Sequence, residues 1–249
     1  MAERFKDHFS ARAALYATFR PSYPEALGDF LAEVAPARNC ALDSACGTGQ
    51  LTLLLARHFS EVIATDASAE QIANVSPAPN VSYRVARAEA SGLADASVDL
   101  ATVAQAAHWF DLDTFYGEMR RVLCPGGVIA LISYGLTEMD GAVGAEVDRF
   151  YKALGKYWPP ERAHVESRYR TLPFPFAEVA APAIDMKADW TREQLVGYIS
   201  TWSAVKELDR AEGDAPFQAF AETIGAVWGA PEQRREVRWP LTLRVGTVP

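Results

Sequence analysis

The sequence predicts an α/β fold with a mainly parallel sheet, and three observations lead to this class. Between residues 40 and 134, short apolar runs alternate with segments of helical periodicity, which is typical of strand–helix–strand units. A glycine-containing loop, residues 43–50, separates the first apolar run from the first helical segment. The chain ends in an apolar run, residues 237–245, whose late position after a long insertion suits an antiparallel last strand.

Length and composition are those of an ordinary globular protein. The 249 residues suit one large α/β domain, and 49% of them are hydrophobic and 22% charged. The formal net charge of −8 disfavours nucleic acids and anionic membranes as main partners, because phosphates require Lys and Arg on one face. The three cysteines form no disulfide framework, and no apolar run resembles a secretory leader or a membrane span. We therefore expect a cytoplasmic protein.

The loop after the first strand is the most informative stretch of the chain. Residues 40–42 are predicted as a buried strand and residues 51–56 as the first turns of a helix. This arrangement places unpaired backbone N–H groups at one point. Gly47 and Gly49 lack Cβ, so a ligand can approach their backbone closely.

The residues around this loop argue against a phosphate ligand. Thr52 stands where a dinucleotide-binding loop has its third glycine, and no Lys-Ser or Lys-Thr pair follows. Asp43 at the strand tip would repel a diphosphate, whereas it suits a ligand with a cationic amine. S-adenosylmethionine (SAM) is such a ligand. The alternative is a glycine turn that only packs the strand against the helix.

An acidic residue also ends the second predicted strand, residues 61–66. Asp66 lies nineteen residues after Gly47, the distance at which such an acid reaches ribose hydroxyls. A carboxylate accepts both hydroxyl protons in charge-assisted hydrogen bonds. Ser68 begins a capping box for the next helix, so Asp66 is not needed as its cap.

The end of the fourth predicted strand, residues 98–103, carries a candidate for chemistry. The segment 104–110 reads Ala-Gln-Ala-Ala-His-Trp-Phe, and ligands of open α/β sheets lie outside the carboxyl ends of strands. His108 could line an acceptor pocket, donate a hydrogen bond or act as a base. The alternative is a core histidine bonded to the backbone.

These segments resemble those of a known family. Residues 42–49 resemble motif I of the class I SAM-dependent methyltransferases of type 11, in which glycine is commoner at the position of Ala45. Residues 123–133 resemble another landmark of the same family, and residues 16–24 resemble the N-terminal cap of one of its branches. Residues 104–110 are similar to its trans-aconitate-methyltransferase-like branch. The resemblance implies a Rossmann-like, doubly wound, mostly parallel seven-stranded sheet with an antiparallel last strand. A helical cap would come from the N-terminus and the late insertion.

The predicted organisation is a single domain over residues 1–249. Its parts are an N-terminal helical cap (1–35), a SAM-binding core (36–134), an insertion that caps the substrate (135–235) and a final strand (236–249). Within these parts, Pro24 suits the first residue of a helix. Residues 124–127 are predicted as a proline–glycine stop, and residues 195–208 as one helix with an apolar stripe.

Acceptor specificity is expected in the insertion. Its aromatic and arginine residues could form a pocket for a planar or acidic substrate, or else the aromatics fill the cap core and the arginines are solvated. These residues are Tyr151, Tyr157, Trp158, Arg162, Arg168, Arg170 and Trp190.

The resemblance also implies the site residues. The cofactor contacts are Asp43, Ala45, Gly47, Gly49, Asp66, Ala67, Gln71, Ala88, Glu89 and Gln105, and the acceptor contacts are Tyr16, Arg20, His108 and Trp109. His108 is also the candidate catalytic residue, and no metal ligand is assigned. Arg87 replaces an acid of the family at the adenine edge, and Glu89 could instead be a solvated loop acid. Tyr16 and Arg20 could equally be a packed aromatic and a surface cation.

The predicted function is therefore SAM-dependent methyl transfer to a small-molecule acceptor through an O- or N-nucleophile. A carboxylate acceptor needs no base, whereas a phenol or an amine would use His108. The alternatives are a methyltransferase-like binding module without catalysis and an NAD-dependent oxidoreductase. The sequence leaves the acceptor and the oligomeric state open.

Overall fold

The computed structural model describes residues 21–230 and 232–249. The first part of the predicted N-terminal cap, with Tyr16 and Arg20, lies outside the described residues. Its second part is helix α1, Glu25–Val34. Pro24 is the residue before this helix, not its first, because its backbone is extended at ψ 151°.

A mixed sheet of eight strands forms the centre of the described part of the chain. The strands are β1 Cys40–Ser44, β2 Glu61–Asp66, β3 Val81–Val85, β4 Val98–Ala104, β5 Leu123–Tyr134, β6 Ala177–Val179, β7 Asp185–Trp190 and β8 Arg235–Thr247. Their order in the sheet is β3-β2-β1-β4-β5-β8-β6, and β7 also pairs with β8. Strands β1 to β5 run parallel, and β8 runs antiparallel to β5.

Helices connect the parallel strands and make up much of the insertion. After α1 they are α2 Gln50–Leu55, α3 Ala69–Ala73, α4 Leu112–Val122, α5 Gly141–Ala153, α6 Arg162–Glu166, α7 Arg192–Ser200, α8 Ser203–Glu212 and α9 Ala215–Trp228, with short 3₁₀ turns at Ala107–Trp109 and Gly155–Tyr157. None of the described helices is both long and apolar enough to span a bilayer.

The predicted fold class is confirmed, with one more strand than the resemblance implied. The insertion was expected to be helical, but it also contributes β6 and β7 to the sheet. Strand β8 is long enough to hold both: its first half pairs with β7, and its second half pairs with β5 on one side and β6 on the other.

Two local predictions need correction. The helix before the proline–glycine stop does end there, since α4 ends at Val122, but the next strand begins at Leu123 instead of Val128. Residues 124–127 form a bulge within β5, because the pairing with β4 jumps from Val98–Leu123 to Leu100–Val128. The helix predicted over 195–208 is two helices, α7 and α8, which meet at Thr201 and Trp202. Both still pack into one apolar cluster, which is why the sequence shows a continuous stripe.

The core has three clusters, and the third one positions the insertion. Alternate residues of β1 face opposite sides of the sheet, so that Leu42 belongs to one cluster and Ala41 to another. The third cluster joins the insertion helices to the first half of β8. It also contains Tyr134, the last residue of β5, and the insertion therefore packs at the carboxyl end of that strand.

Candidate active site

The first half of the site is the loop between β1 and α2, which meets β2 at the carboxyl edge of the sheet. The backbone N–H of Cys46 donates to the carbonyl of Thr65 at 2.9 Å. The N–H of Gly47 donates to the Asp66 carboxylate, also at 2.9 Å. The loop therefore lies directly against the acid that ends β2.

The two loop glycines have different reasons for being glycine. Both have positive φ, 58° at Gly47 and 90° at Gly49. A Cβ on Gly49 would lie 2.8 Å from the hydroxyl oxygen of Tyr83 on β3, so this glycine makes room for protein. A Cβ on Gly47 would find no atom closer than the Gln71 Oε1 at 4.0 Å. Of the two, only Gly47 faces open space that a ligand can enter.

Asp66 fastens the loop to the next helix. Its side chain is buried, and besides Gly47 it accepts a hydrogen bond from the backbone N–H of Ser68 at 2.8 Å. Ser68 in turn caps α3 by accepting from the N–H of Gln71. The carboxylate is held by backbone groups on two sides, so its position does not depend on a flexible partner.

Asp43 lies beneath the loop and does not flank it openly as expected. It is 1% exposed, and its carboxylate accepts hydrogen bonds from Thr52 Oγ1 at 2.6 Å and Thr102 Oγ1 at 3.1 Å. Burial raises the pKa of the Asp43 carboxyl to about 6, the negative charge of Asp66 adds to this, and the two hydroxyl donors oppose it. Thr52, which replaces a glycine of dinucleotide-binding loops, thus serves to hold this carboxylate.

Two polar atoms around the loop lack partners among the residues that the structure describes. They are the buried Thr48 Oγ1 and Gln71 Oε1. Such atoms are costly unless a ligand or water completes them. Because Gln71 Oε1 faces the open side of Gly47, these residues fit a polar ligand that lies on the loop. Ala45 and Ala67 are half-buried neighbours in the same two strand-end segments.

The predicted adenine edge also reaches this side of the sheet. The N–H of Ala86, just after β3, donates to the Asp66 carbonyl at 3.0 Å. Ala88 is buried, and Glu89 accepts from Arg87 Nε and from the N–H of Asp111, each at 3.3 Å. Glu89 is therefore tied to its neighbours and is not a freely solvated acid.

The second half of the site is an open cleft beyond β4 and β5. Gln105 is in the left-handed region at φ 59°, and its Nε2 donates to the carbonyl of Tyr134 at 2.9 Å. It was predicted to contact the cofactor, and its place is in this cleft. The lining residues are Gln105, His108, Trp109, Tyr134, Gly135, Leu136, Trp158, Pro159, Arg162, Tyr198, Thr201, Trp202 and Ser203.

His108 lies in this cleft beside Trp109, as predicted. Its Nδ1 is 2.9 Å from the hydroxyl of the buried Tyr169. Burial, together with the positive charge of Arg162 and a smaller effect of His164, lowers the pKa of His108 to about 3. The imidazole is therefore neutral over the physiological pH range.

Sequence reasoning found some of the cleft walls and missed others. Trp158 and Arg162 line the cleft, whereas Trp190 packs against Trp239 in the cap core and Arg168 is exposed. The missed walls include Tyr198 and the break between α7 and α8. The cue for that break was the tripeptide Thr-Trp-Ser at 201–203, which the predicted helix ran through.

A parallel sheet with a glycine loop after its first strand and an acid at the end of its second defines the class of α/β proteins that bind nucleoside cofactors. Among the residues that the structure describes, no group of three or more His, Cys, Asp or Glu side chains could hold a metal ion.

Comparisons with known proteins specify the family within this class. A methyltransferase-domain family matches residues 42–131. A protein of Dictyostelium discoideum assigned as a methyltransferase is 34% identical over 226 residues, which cover 89% of this chain and 86% of that protein. A solved structure assigned as a type II methyltransferase from Anaeromyxobacter dehalogenans is 50% identical with a TM-score of 0.87, over 92% of this chain and 98% of the other.

The fold also matches phosphoethanolamine N-methyltransferase 2 of Haemonchus contortus, solved in complex with SAM. The TM-score is 0.52 at 16% identity, over 98% of this chain and 58% of the other, so the match concerns the fold alone. The chain belongs to the class I SAM-dependent methyltransferases. This membership decides against the NAD-dependent oxidoreductase, and the trans-aconitate-methyltransferase-like branch stays a prediction.

Proposed function

We propose that the protein transfers a methyl group from SAM to a small molecule held in the cleft beyond β4 and β5. The observation that carries this proposal is the pairing of two adjacent half-sites at one edge of the sheet. The loop half has an open glycine, a fixed acid and buried polar atoms that have no partner within residues 21–230 and 232–249. The cleft half has aromatic walls and lies on the neighbouring strands.

The loop half fits the nucleoside and methionine parts of SAM. Asp66 ends β2 directly beside the loop, which is the position from which it would bind the ribose hydroxyls. Gly47 and Ala45 would lie under the methionine part of SAM. The residues around the adenine would be Gln71, Ala67, Ala88 and Glu89. Asp43 would act on the cofactor through its negative charge from beneath the loop. Gly49 would act indirectly, because its lack of a Cβ lets the loop pack closely against Tyr83.

When bound, SAM supplies an electrophilic methyl group on its sulfonium. The residues of the chain then have to bind the acceptor, orient its nucleophile and exclude water, and orientation of this kind contributes up to about 7–11 kcal/mol. The aromatic cleft walls Trp109, Trp158 and Trp202 suit the exclusion of water. Residues of four separate segments line the cleft, so the acceptor would be enclosed on several sides.

The geometry favours His108 as a hydrogen-bond donor over a base. Burial raises the pKa of the Tyr169 phenol, so that its hydroxyl keeps its proton. In the arrangement we propose, this hydroxyl donates its proton to His108 Nδ1, 2.9 Å away. The imidazole proton then sits on Nε2, which has no hydrogen-bond partner among the described residues. An acceptor that needs no base, such as a carboxylate, suits this arrangement.

The acceptor is proposed to be a metabolite of the cytoplasm. Nucleic acid is disfavoured by the net charge of −8. The three cysteines are free, which suits a reducing compartment.

Titration calorimetry with SAM, its demethylated product and NAD tests the cofactor. We expect binding of SAM and the product and no binding of NAD. Incubation of the protein with SAM and a panel of acids, phenols and amines, followed by mass detection of methylated products, then tests the reaction. The absence of SAM binding would overturn the proposed function. Binding without turnover on every acceptor would favour the alternative of a binding module.

A further inference from the structure

Arg162 is the only charged side chain among the described residues that line the cleft. It is half-buried, and no carboxylate of the described residues lies within ion-pair distance of it. A half-buried guanidinium without a direct ion pair is unusual, because burial of a charge is costly unless it is paired. Among the described residues, its link to a carboxylate runs through the hydroxyl of Tyr151, so a carboxylate of a ligand can still pair with it directly.

The guanidinium is held in place by aromatic groups. Its Nε donates to the hydroxyl of Tyr151 at 3.1 Å, and that hydroxyl in turn donates to Glu166 at 2.6 Å. The Cζ of Arg162 lies 5.0 Å from the ring centroid of Trp158 and 5.7 Å from that of Tyr151. These contacts fix the plane of the guanidinium and use its Nε, so that its terminal N–H groups stay available.

The neutral state of His108 belongs to the same arrangement. Arg162 is close enough to His108 for its charge to help lower the imidazole pKa. The cleft thus contains one fixed positive charge and, near it, a neutral ring whose Nε2 has no partner in the described part of the chain. This combination complements one negative charge that can accept several hydrogen bonds.

We propose that Arg162 binds a carboxylate group of the methyl acceptor and thereby selects acidic acceptors over neutral ones. The inference rests on the proposed function and specifies the chemical class of its acceptor. A carboxylate matches the planar fork of the guanidinium and a single charge. A phosphate, with close to two charges, would leave a net negative charge in this cleft. The aromatic walls indicate that the rest of the acceptor is apolar.

The test compares acids with their own amides. The protein, saturated with the demethylated cofactor, is titrated with a panel of small aliphatic and aromatic carboxylic acids and with the matching carboxamides. We expect at least one acid to bind roughly ten-fold or more tightly than its amide, the effect of one charged hydrogen-bonded pair. Arg162→Gln should abolish this preference, and Arg162→Lys should retain part of it.

Arg168→Gln is the matched control, because Arg168 is exposed, lies six residues away and does not line the cleft. SAM affinity and circular dichroism should be unchanged in all three variants, which shows that each variant folds and keeps its cofactor site. If no acid in the panel is preferred to its amide, or if Arg162→Gln retains the preference, the inference is wrong. If SAM itself does not bind, the proposed function fails, and that result is separate.

Discussion

The two halves of the site are built in opposite ways. The loop half comes mainly from one continuous stretch, residues 43–71, in which a strand, a turn, a helix and the next strand follow one another. The cleft half is assembled from separate segments near residues 105, 135, 160 and 200. The comparison shows that the loop half is a contiguous motif, whereas the cleft half depends on tertiary packing.

The two halves also differ in charge. Asp43 and Asp66 lie close enough that each influences the other electrostatically. In the cleft, the charge is the guanidinium of Arg162, and His108 is neutral. The acidic loop half would favour the cationic cofactor and the basic cleft half would favour the anionic acceptor, so each ligand would bind in its own half. The variants described next test whether a change in one half leaves ligand binding in the other half unchanged.

The largest effect is expected from Gly49→Ala. The added methyl group would lie 2.8 Å from the Tyr83 hydroxyl, and the backbone is at φ 90°. Strain and overpacking together should destabilise the fold by about 2–5 kcal/mol. Urea unfolding without cofactor measures this loss.

Gly47→Ala is the matched control for that experiment, because it has only the backbone strain. It should cost about 1–2 kcal/mol of stability but weaken SAM binding markedly. Tyr83→Phe removes the contacting oxygen and should restore part of the stability lost in Gly49→Ala. Equal losses of stability in both glycine variants would contradict the different roles of the two glycines.

Asp66→Ala should weaken SAM binding by about 1.5–3 kcal/mol, the usual contribution of hydrogen bonds to a charged group. Titration calorimetry measures the change. Glu70→Ala is the control, because Glu70 is an exposed acid four residues further on and should leave the affinity unchanged. Affinity for carboxylic acids in the cleft should also survive in Asp66→Ala. An unchanged SAM affinity would remove Asp66 from the ribose role.

The same division explains how far the sequence could predict the structure. The loop, Asp66 and their contact were predictable because spacing along a strand–turn–helix unit fixes them. The burial of Asp43 was not, since Thr102, one of its two hydroxyl donors, comes from another strand. Arg162 could be named as a candidate, but its place in the cleft depends on how the insertion packs on β5 and β8.

Asp43→Asn should change how stability depends on pH. The folded pKa of Asp43 is about 6, above the ordinary value of a carboxyl. The folded state therefore holds this proton more tightly, and the wild type loses stability as pH rises through about 4 to 6. The pKa shift corresponds to a loss of at most about 3 kcal/mol in the free energy of unfolding, and Asp43→Asn should not show this loss.

Urea unfolding of the cofactor-free protein at both ends of this pH range measures that difference. Asp113→Asn, which changes an exposed acid in the first turn of α4, is the control and should follow the wild type. Parallel pH profiles of wild type and Asp43→Asn would show that the carboxyl has an ordinary pKa.

Tyr169→Phe tests the cleft half. It removes the hydroxyl on His108 Nδ1, and the imidazole can then take either tautomer. Turnover should fall by an amount equivalent to about 0.5–1.5 kcal/mol, with SAM affinity unchanged. ¹⁵N NMR of His108 should change from one tautomer to a mixture. Tyr116→Phe, in which a hydroxyl bound to the carbonyl of Pro173 is lost, is the control and should leave the His108 signals unchanged.

The smallest effect is expected from Ala45→Gly. Ala45 is in the left-handed region at φ 55°, where alanine is strained and glycine is not. Relief of strain is partly offset by the greater entropy of the unfolded chain, so stability should rise by less than about 1 kcal/mol. Ala96→Gly, at φ 51° on an exposed loop, should give the same gain. Only Ala45→Gly should alter SAM affinity. If both variants behave alike in SAM binding, the alanine methyl is not in contact with the cofactor, and the departure from the common family form at this position has no consequence for the site.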